Sequence, residues 1–225
     1  SWLSREILAF SLFPAVTSLH AGALVFGGNS FVEISGLVAA LVGGIAVFCS
    51  AMIYIDTQRP FWNAAFSVPK FFGSCVVLGI PVTMLILLCD TQLSGSATMT
   101  GVLQNEMKTL AGWLLIASTA KLAMESVIFL SLRNRAHTPL KRSAMLLRDE
   151  LGLTSLKRYF FGVVGGVGIP ALLYVQATVE QPFSTGFLAA IVTLAVATLL
   201  IGELLERYLY FAAVTPPKMP GVQAS

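Results

Sequence analysis

The strongest constraint on this chain is a series of long segments without charge. Five segments lack Asp, Glu, Lys and Arg altogether: residues 7–32, 34–55, 71–89, 159–179 and 181–202. A sixth, Leu110–Leu132, is apolar except for Lys121 and Glu125. A helix needs about 20 residues to cross roughly 30 Å of hydrocarbon, so each segment is long enough to span a bilayer.

The amino-acid composition excludes most other classes of protein. Hydrophobic residues make up 56% and charged residues only 11%, whereas soluble proteins carry about 25% charged residues. A net charge of +3 is too small to indicate nucleic-acid binding, and three cysteines without paired spacing indicate neither a disulfide scaffold nor a thiolate metal site. The segments are too long for the strands of an outer-membrane barrel, about ten residues each. The sequence therefore predicts an all-α, polytopic membrane bundle of six helices.

The charges predict the orientation of this bundle, which we assign to residues 1–214. The spans fall near 7–27, 34–54, 68–89, 110–132, 160–179 and 184–210. One side then carries Arg5, Arg59, Lys70, Arg133, Arg135, Lys141, Arg142, Arg148, Lys157, Arg158, Arg207 and Lys218, and the other only Lys108. By the positive-inside rule, both ends of the chain face the cytoplasm, although a basic loop is also typical of a docking surface.

Two segments lie outside the spans. Residues 133–159 form a basic cytoplasmic loop, within which residues 140–151 are predicted to form an amphipathic helix at the membrane surface. Residues 215–225 contain three prolines and are predicted to be a flexible tail.

Glu6 lies in the first turn of the first span, directly after Arg5 and the predicted N-cap residue Ser4. A carboxylate here complements the helix dipole, which is a purely structural role. It is also placed at the edge of the hydrocarbon, where it is suited to accept a proton from a lipid-soluble substrate.

The connection after the second span combines aromatic and charged residues: Tyr54, Asp56, Arg59 and Trp62. Aromatic residues are common at membrane interfaces, and Asp56 and Arg59 would pair as neighbours under a structural interpretation. The functional interpretation is a rigid mouth over a pocket, with aromatic planes for a flat ring and an arginine for its carbonyl oxygen.

Two charged pairs share helix faces. Lys121 and Glu125 are four residues apart near the middle of a span, where charge is costly and a function is the default hypothesis. They form either a neutralised structural pair or part of a proton path. Glu203 and Arg207 close the last span and are predicted to have a structural role.

His20 is the only histidine within a span. It is either a hydrogen-bonded core residue or a member of a proton path, and it lies about 21 Å along the helix from Glu6. A bis-histidine haem needs two ligands, so we expect no haem, and no metal, in this chain.

Read in order, these motifs resemble a known family. Ser1–Ile7 at a helix start, Arg59–Trp62 leading into Pro69–Ser74, Gly165-Gly166 before Pro170, and Gly202-Glu203 with Arg207 are similar to the membrane anchor subunit of dimethyl sulfoxide reductase (DmsC type). The wider group is that of the polysulfide-reductase-like anchors. The resemblance implies a prokaryotic cytoplasmic (inner) membrane protein that binds quinone or quinol, either menaquinol or ubiquinol.

The resemblance also implies partners. These are a four-cluster, ferredoxin-like iron–sulfur subunit and, through it, a molybdenum or tungsten bis-pterin catalytic subunit. This chain would then be a quinone-binding subunit of an oxidoreductase complex rather than an enzyme on its own. Glu6 matches the family's acidic residue near the quinol, and Arg59 and Trp62 match its pocket wall.

The family has eight helices, and this sequence lacks a counterpart of the first two and of the histidine-bearing turn after the second. We expect either residues upstream of Ser1 or a second polypeptide to complete the bundle. Two other functions stay open: a small secondary transporter, whose paired inverted repeats we do not find, and an assembly anchor without a catalytic role.

Overall fold

The computed structural model describes residues 1–26, 28–93, 101–136, 138–178 and 183–214. All regular secondary structure in these ranges is helical, which confirms the all-α class. The α-helices are α1 (Trp2–Phe26), α2 (Asn29–Ile55), α3 (Ala64–Leu93), α4 (Gly101–Ser126), α5 (Pro139–Arg148), α6 (Gly152–Val163), α7 (Ile169–Gln176) and α8 (Thr185–Ala212).

Six helical segments of the described ranges are long and apolar enough to cross a membrane, as the sequence predicts. Four of them are α1, α2, α3 and α8. The fifth is α4 with its 3₁₀ continuation, Gly101–Arg133, and the sixth, Gly152–Gln176, joins α6 to α7 through a π-helical turn, Val164–Gly168. The chain is therefore an integral membrane protein. The predicted tail, residues 215–225, lies outside the described residues.

The chain divides into two compact units, Ser1–Phe72 and Gly73–Ser225. In the first, α1 and α2 form an antiparallel hairpin. Small residues line their contact, including Ala9 and Ala23 on α1 and Ala39 and Ala46 on α2, all at most 8% exposed. Membrane helices associate through close packing rather than through the hydrophobic effect, so small side chains at this interface let the two backbones approach.

The second unit packs α4, the α6–α7 segment and α8 around an apolar core. One cluster of its buried side chains comprises Met84, Leu88, Met107, Ala111, Ile169, Leu173, Leu188, Val192 and Ala195. Ser184 caps α8 by accepting a hydrogen bond from the amide of Phe187. The short helix α5, which overlaps the predicted amphipathic segment, begins at Pro139 because Thr138 accepts the amide of Lys141.

Glycines bring the π-helical turn close to its neighbours. A Cβ at Gly165 would collide with Thr198 Oγ1 and lie 3.1 Å from the backbone nitrogen of Leu199. A Cβ at Gly166 would lie 2.6 Å from Ser118 Cβ. The Gly-Gly pair therefore lets this turn pack between α4 and α8.

This packing predicts that alanine substitution lowers stability at one glycine of the turn and leaves it unchanged at another. Gly165→Ala forces α8 away and is expected to lower the stability of the protein by about 1–3 kcal/mol. Gly168→Ala is the control, because a Cβ there meets only Val163 O at 3.6 Å. Thermal unfolding in detergent measures both, and equal melting temperatures for the two variants would contradict this account of the packing.

Candidate functional site

Glu6 is held in place by a serine of the neighbouring helix. Ser50 Oγ on α2 donates a hydrogen bond of 2.5 Å to Glu6 Oε1 on α1, and it also reaches the backbone oxygen of Ala46. Glu6 is half-buried and Ser50 is buried. The carboxylate thus lies within the α1–α2 contact, with a fixed orientation.

The aromatic connection after α2 has a defined geometry. Gln58 has a positive φ of 55°, which ends the helix before Arg59-Pro60. A short 3₁₀ turn, Pro60–Trp62, follows, and the side chain of Asn63 then accepts the amide of Phe66 to cap α3. The turn and cap hold Trp62 and Arg59 next to the end of α2.

These residues form a cluster of rings and one cation. The ring of Tyr54 lies 5.3 Å from that of Trp62 in an edge-on arrangement and 5.6 Å from that of Phe71. The guanidinium of Arg59 lies over the Trp62 ring at 4.8 Å. Tyr54 is one helical turn beyond Ser50 on the same face of α2. The face of α2 that binds Glu6 therefore continues directly into the aromatic cluster.

A groove of about 390 Å³ runs between α1 and α2. It is lined by Trp2, Arg5, Leu8, Ala9, Leu12, Val42, Ile45, Phe48 and Cys49. The guanidinium of Arg5 lies 4.5 Å from the centre of the Trp2 ring, and Trp2 meets Phe48 edge-on at 6.1 Å. The groove is apolar along its length and carries its one charged residue, Arg5, near the start of α1.

Two further predicted residues of the first unit are Asp56 and His20. Asp56 is exposed at the end of α2, and it forms no ion pair with Arg59 among the described residues. The pairing expected under the structural interpretation is therefore wrong, because the Arg59 cation faces Trp62 instead. His20 Nδ1 lies 3.0 Å from Ser35 Oγ, which donates to the backbone oxygen of Val32.

The second unit contains a closed ring of four buried charges, which we call the ion ring: Lys121, Glu125, Arg158 and Glu203. Their exposed fractions are 5%, 8%, 2% and 4% respectively. Positive and negative groups alternate, so that each carboxylate contacts both cations. The ring joins α4, α6 and α8.

The contacts of the ion ring are short. Lys121 Nζ lies 2.7 and 2.6 Å from the two oxygens of Glu203 and 3.0 Å from Glu125 Oε1. Arg158 Nη2 donates to Glu125 Oε1 at 2.9 Å and to Glu203 Oε1 at 3.0 Å, and its Nε reaches Glu125 Oε2 at 3.2 Å. The two cations and two carboxylates balance, as burial in a membrane requires.

Polar and small residues complete the surroundings of the ion ring. Ser74 Oγ on α3 donates to Glu203 Oε2 at 2.5 Å and lies 3.3 Å from Arg207 Nη2. Arg207 Nε also lies 3.8 Å from Glu206. Arg158 Nη1 passes so close to Gly162 and Gly202 that a Cβ at either would lie 2.9 or 3.0 Å away. Two glycines therefore make room for the guanidinium between α6 and α8.

The structure corrects one assignment and extends another. The sequence predicts Arg158 to lie in the basic cytoplasmic loop, but it lies within α6 and is buried. Helix α6 starts at Gly152, so the span begins before the charge-free segment does. Lys121 and Glu125 do interact, at 3.0 Å, but as half of a larger ring rather than as an isolated pair.

Sequence reasoning missed three residues that complete these sites. Ser50 and Ser74, the hydrogen-bond partners of Glu6 and Glu203, are ordinary in apolar helices and carry no sequence signal of their own. Arg158 does carry a signal: it lies four residues before Gly162 and borders a charge-free run. Predicting that Arg158 is buried beside Lys121 and Glu125, however, requires knowing how α4 and α6 pack.

Comparisons with known proteins give one result. Residues 1–212 match the family model described as DMSO reductase anchor subunit (DmsC). No curated protein and no solved structure matches the chain. The family match covers nearly the whole chain and confirms the resemblance inferred from the motifs.

The ion ring predicts a specific pattern of stability. Lys121→Met leaves the two buried carboxylates of the ion ring with Arg158 as their one cation in the ring. It is expected to destabilise the protein by about 3–5 kcal/mol. Adding Glu203→Gln to this variant removes the excess charge and should recover part of the loss. Denaturant unfolding in detergent measures both.

The matched control is Lys157→Met, which removes an exposed lysine next to Arg158 on the same helix. It is expected to change stability by less than about 0.5 kcal/mol. A Lys121→Met variant that is as stable as Lys157→Met would show that the ring does not hold these helices together.

Proposed function

Because the chain belongs to the DMSO reductase anchor subunit (DmsC) family, we propose that it binds a quinol or quinone and passes electrons to or from a partner iron–sulfur subunit. The coarser role, a membrane anchor of a DMSO reductase complex, follows from the family itself. The observation that supports the finer role is the Glu6–Ser50 hydrogen bond, on the same face of α2 as the Tyr54–Trp62–Arg59 cluster.

The residues present fit the head group of a quinol. Its flat ring needs aromatic planes, which Tyr54, Trp62 and Phe71 offer at contact distances of one another. Its oxygens need hydrogen-bonding partners, and the Glu6 carboxylate and the Arg59 guanidinium provide an acceptor and a donor. We assign Glu6 as the catalytic residue and Arg5, Tyr54, Asp56, Arg59 and Trp62 as its neighbours in the binding site.

Glu6 is suited to the proton chemistry. A quinol supplies two electrons and two protons when it is oxidised, so its site needs a base at hydrogen-bonding distance. Glu6 is half-buried and one of its oxygens is held by Ser50, which leaves Oε2 to take a proton from a hydroxyl group. Ser50 keeps the carboxylate in one orientation while the proton is transferred. In the reverse direction the protonated Glu6 returns it.

The groove between α1 and α2 suits the tail of the same molecule. Membrane quinones carry an apolar side chain, and the groove offers about 390 Å³ lined by aliphatic and aromatic residues. Arg5 lies in its wall, one residue from Glu6. A ligand with its head group near Glu6 would therefore have an apolar path for its tail along Leu8 and Leu12.

Electrons must leave through another protein. A four-cluster, ferredoxin-like iron–sulfur subunit would receive them and connect to a bis-pterin catalytic subunit. The basic segment that precedes α6, residues 133–151, is the surface on which we place this partner, on the cytoplasmic side of a prokaryotic inner membrane. Within it, Arg142 and Arg148 on α5 are exposed, so their charges are available to an acidic partner.

We also propose candidate residues for a proton path. His20, which lies about 21 Å from Glu6 along α1, is hydrogen-bonded to Ser35. Lys121 and Glu125 belong to the ion ring. Of these, only the ion ring combines carboxylates and cations in one hydrogen-bonded group. We keep all three as candidates for proton transfer and assign Glu203 and Arg207 to structure.

The assignment of Glu6 predicts a selective loss of activity. In the assembled complex, Glu6→Gln keeps the size and the Ser50 contact but removes the base, so quinol oxidation should fall by about 10²-fold or more. Turnover with a soluble electron donor that bypasses the quinol should not change. Steady-state assays with the two donors measure this difference.

Glu33→Gln serves as the matched control, since Glu33 is an exposed carboxylate of α2 in the same unit. It is expected to leave both activities unchanged. If Glu6→Gln retains full quinol turnover in an intact complex, the chain is an assembly anchor and the proposed site is wrong.

The docking surface predicts a charge effect on assembly. Arg142→Glu with Arg148→Glu reverses two exposed charges on α5 and should release the iron–sulfur subunit at lower salt concentration than in the wild type, because exposed ion pairs are screened by salt. Co-purification across a salt series measures this. Lys108→Glu reverses one charge on the side predicted to be opposite and should have no effect on co-purification. Equal retention in all three proteins would refute the docking surface.

A further inference from the structure

Ser67 on α3 bonds to the turn that carries Trp62. Its hydroxyl donates to the backbone oxygen of Trp62 at 3.0 Å, and its amide donates to the backbone oxygen of Asn63 at 2.9 Å. Ser67 is completely buried, at 0% exposure. One residue therefore bonds to two consecutive carbonyl groups of the connection between α2 and α3.

These bonds hold the backbone on both sides of the Trp62 Cα. The amide of Trp62 donates to the backbone oxygen of Arg59 at 2.9 Å, which holds the peptide plane before the Cα. The Ser67 hydroxyl holds the peptide plane after it. Because a peptide group is planar and rigid, holding both planes fixes the direction in which the Trp62 side chain leaves the backbone.

The preceding aromatic residue anchors the same turn on α3. Phe61 is 4% exposed, and its ring lies 6.5 Å from that of Phe66 and 5.3 Å from the ammonium of Lys70. Trp62 instead is half-buried and packs against the end of α2 through the ring of Tyr54. The two successive rings of the turn therefore face different partners, one on α3 and one on α2.

The contacts of the Trp62 ring are less directional than those of its backbone. The ring meets Tyr54 edge-on at 5.3 Å, and the guanidinium of Arg59 lies 4.8 Å from its centre. Ring contacts of this kind tolerate a wider range of distances and angles than hydrogen bonds do. The orientation of the Trp62 ring, and of the guanidinium on it, thus depends on the backbone that Ser67 holds.

We propose that Ser67 is a positioning residue of the proposed quinol site. It acts through the backbone of Trp62 and sets the angle at which the Trp62 ring and the Arg59 guanidinium meet the head group. Ser67 is completely buried, so it acts without touching the ligand. The inference rests on the proposed function, in which Trp62 and Arg59 bind the quinol.

Two substitutions separate the hydrogen bond from the packing. Ser67→Ala removes the hydroxyl, whereas Ser67→Cys fills the space with a thiol, which is a weak donor. Both should raise KM for the quinol by about threefold or more, and both should change kcat by less than about twofold because Glu6 is untouched. Steady-state turnover of the assembled complex, with a short-chain menaquinol and then a short-chain ubiquinol as donor, measures both constants.

The position of Trp62 is measured independently of the quinol by fluorine NMR of the full chain in detergent. The chain contains three tryptophans, Trp2, Trp62 and Trp113, so labelling with fluorotryptophan gives one resonance for each. Trp62→Phe identifies the resonance of Trp62. We expect this resonance to shift or broaden in both Ser67 variants, while those of Trp2 and Trp113 stay in place.

Ser155→Ala is the matched control. Ser155 is also buried, at 6% exposure, and its hydroxyl also donates to a backbone oxygen of the preceding helix, that of Leu147 at 2.8 Å. This variant loses a comparable bond but should keep the wild-type resonance of Trp62 and the wild-type KM. If it shifts the Trp62 resonance as far as Ser67→Ala does, the effect is one of general stability and the inference is wrong.

Failure of the inference and failure of the proposed function give different results. A wild-type Trp62 resonance in Ser67→Ala overturns the inference and does not affect the quinol site, which Glu6→Gln tests separately. A wild-type resonance in Ser67→Cys alone shows that packing rather than the hydrogen bond positions Trp62, which also overturns it. A shifted resonance with a wild-type KM for both quinols shows that Trp62 lies outside the quinol site, so the proposed function fails at Trp62 and the role of Ser67 fails with it.

Discussion

The cost of placing charge in hydrocarbon governs this structure. An isolated charge at the centre of a bilayer is unfavourable by several kcal/mol at least, so a membrane protein keeps such groups only when it supplies their partners. The ion ring meets this requirement with four residues from three helices. Because Lys121, Glu125, Arg158 and Glu203 alternate in sign, each is neutralised by two neighbours. Displacing α8 along its axis would separate Glu203 from both of its cations, so the ring also specifies helix register.

The backbone around the ion ring is shaped by the same requirement. A guanidinium is wide, and Arg158 reaches the carboxylates only because Gly162 and Gly202 leave space for it. The π-helical turn that follows brings Gly165 and Gly166 against α8 and α4. Such turns are common at functional sites, where they change the direction in which neighbouring side chains point. Here the turn lies directly after the helix that carries Arg158.

The helices could be predicted from sequence because the bilayer imposes a minimum length on apolar segments. Lys121 and Glu125 could be predicted to pair from their spacing, but Arg158 and Glu203, which complete the ion ring, could not be predicted as their partners. Arg158 shows the reason: a span defined by the absence of charge must end at the first charged residue, so a buried arginine at its edge is assigned to the loop. Helix α6 starts six residues earlier, at Gly152, and places Arg158 inside the bundle. Glu6 was recognisable as a candidate, but Ser50, 44 residues away, was not.

The Glu6 site and the ion ring differ in a way that bears on the proposed function. Glu6 has one hydrogen bond from a neutral hydroxyl and is half-buried, whereas Glu203 accepts bonds from two cations and from Ser74. Both oxygens of Glu203 accept hydrogen bonds, whereas in Glu6 the hydroxyl of Ser50 occupies Oε1 and leaves Oε2 open to a ligand. This contrast supports the assignment of proton chemistry to Glu6. In the ion ring, by contrast, every carboxylate oxygen is bonded to a cation, and these bonds join α4, α6 and α8.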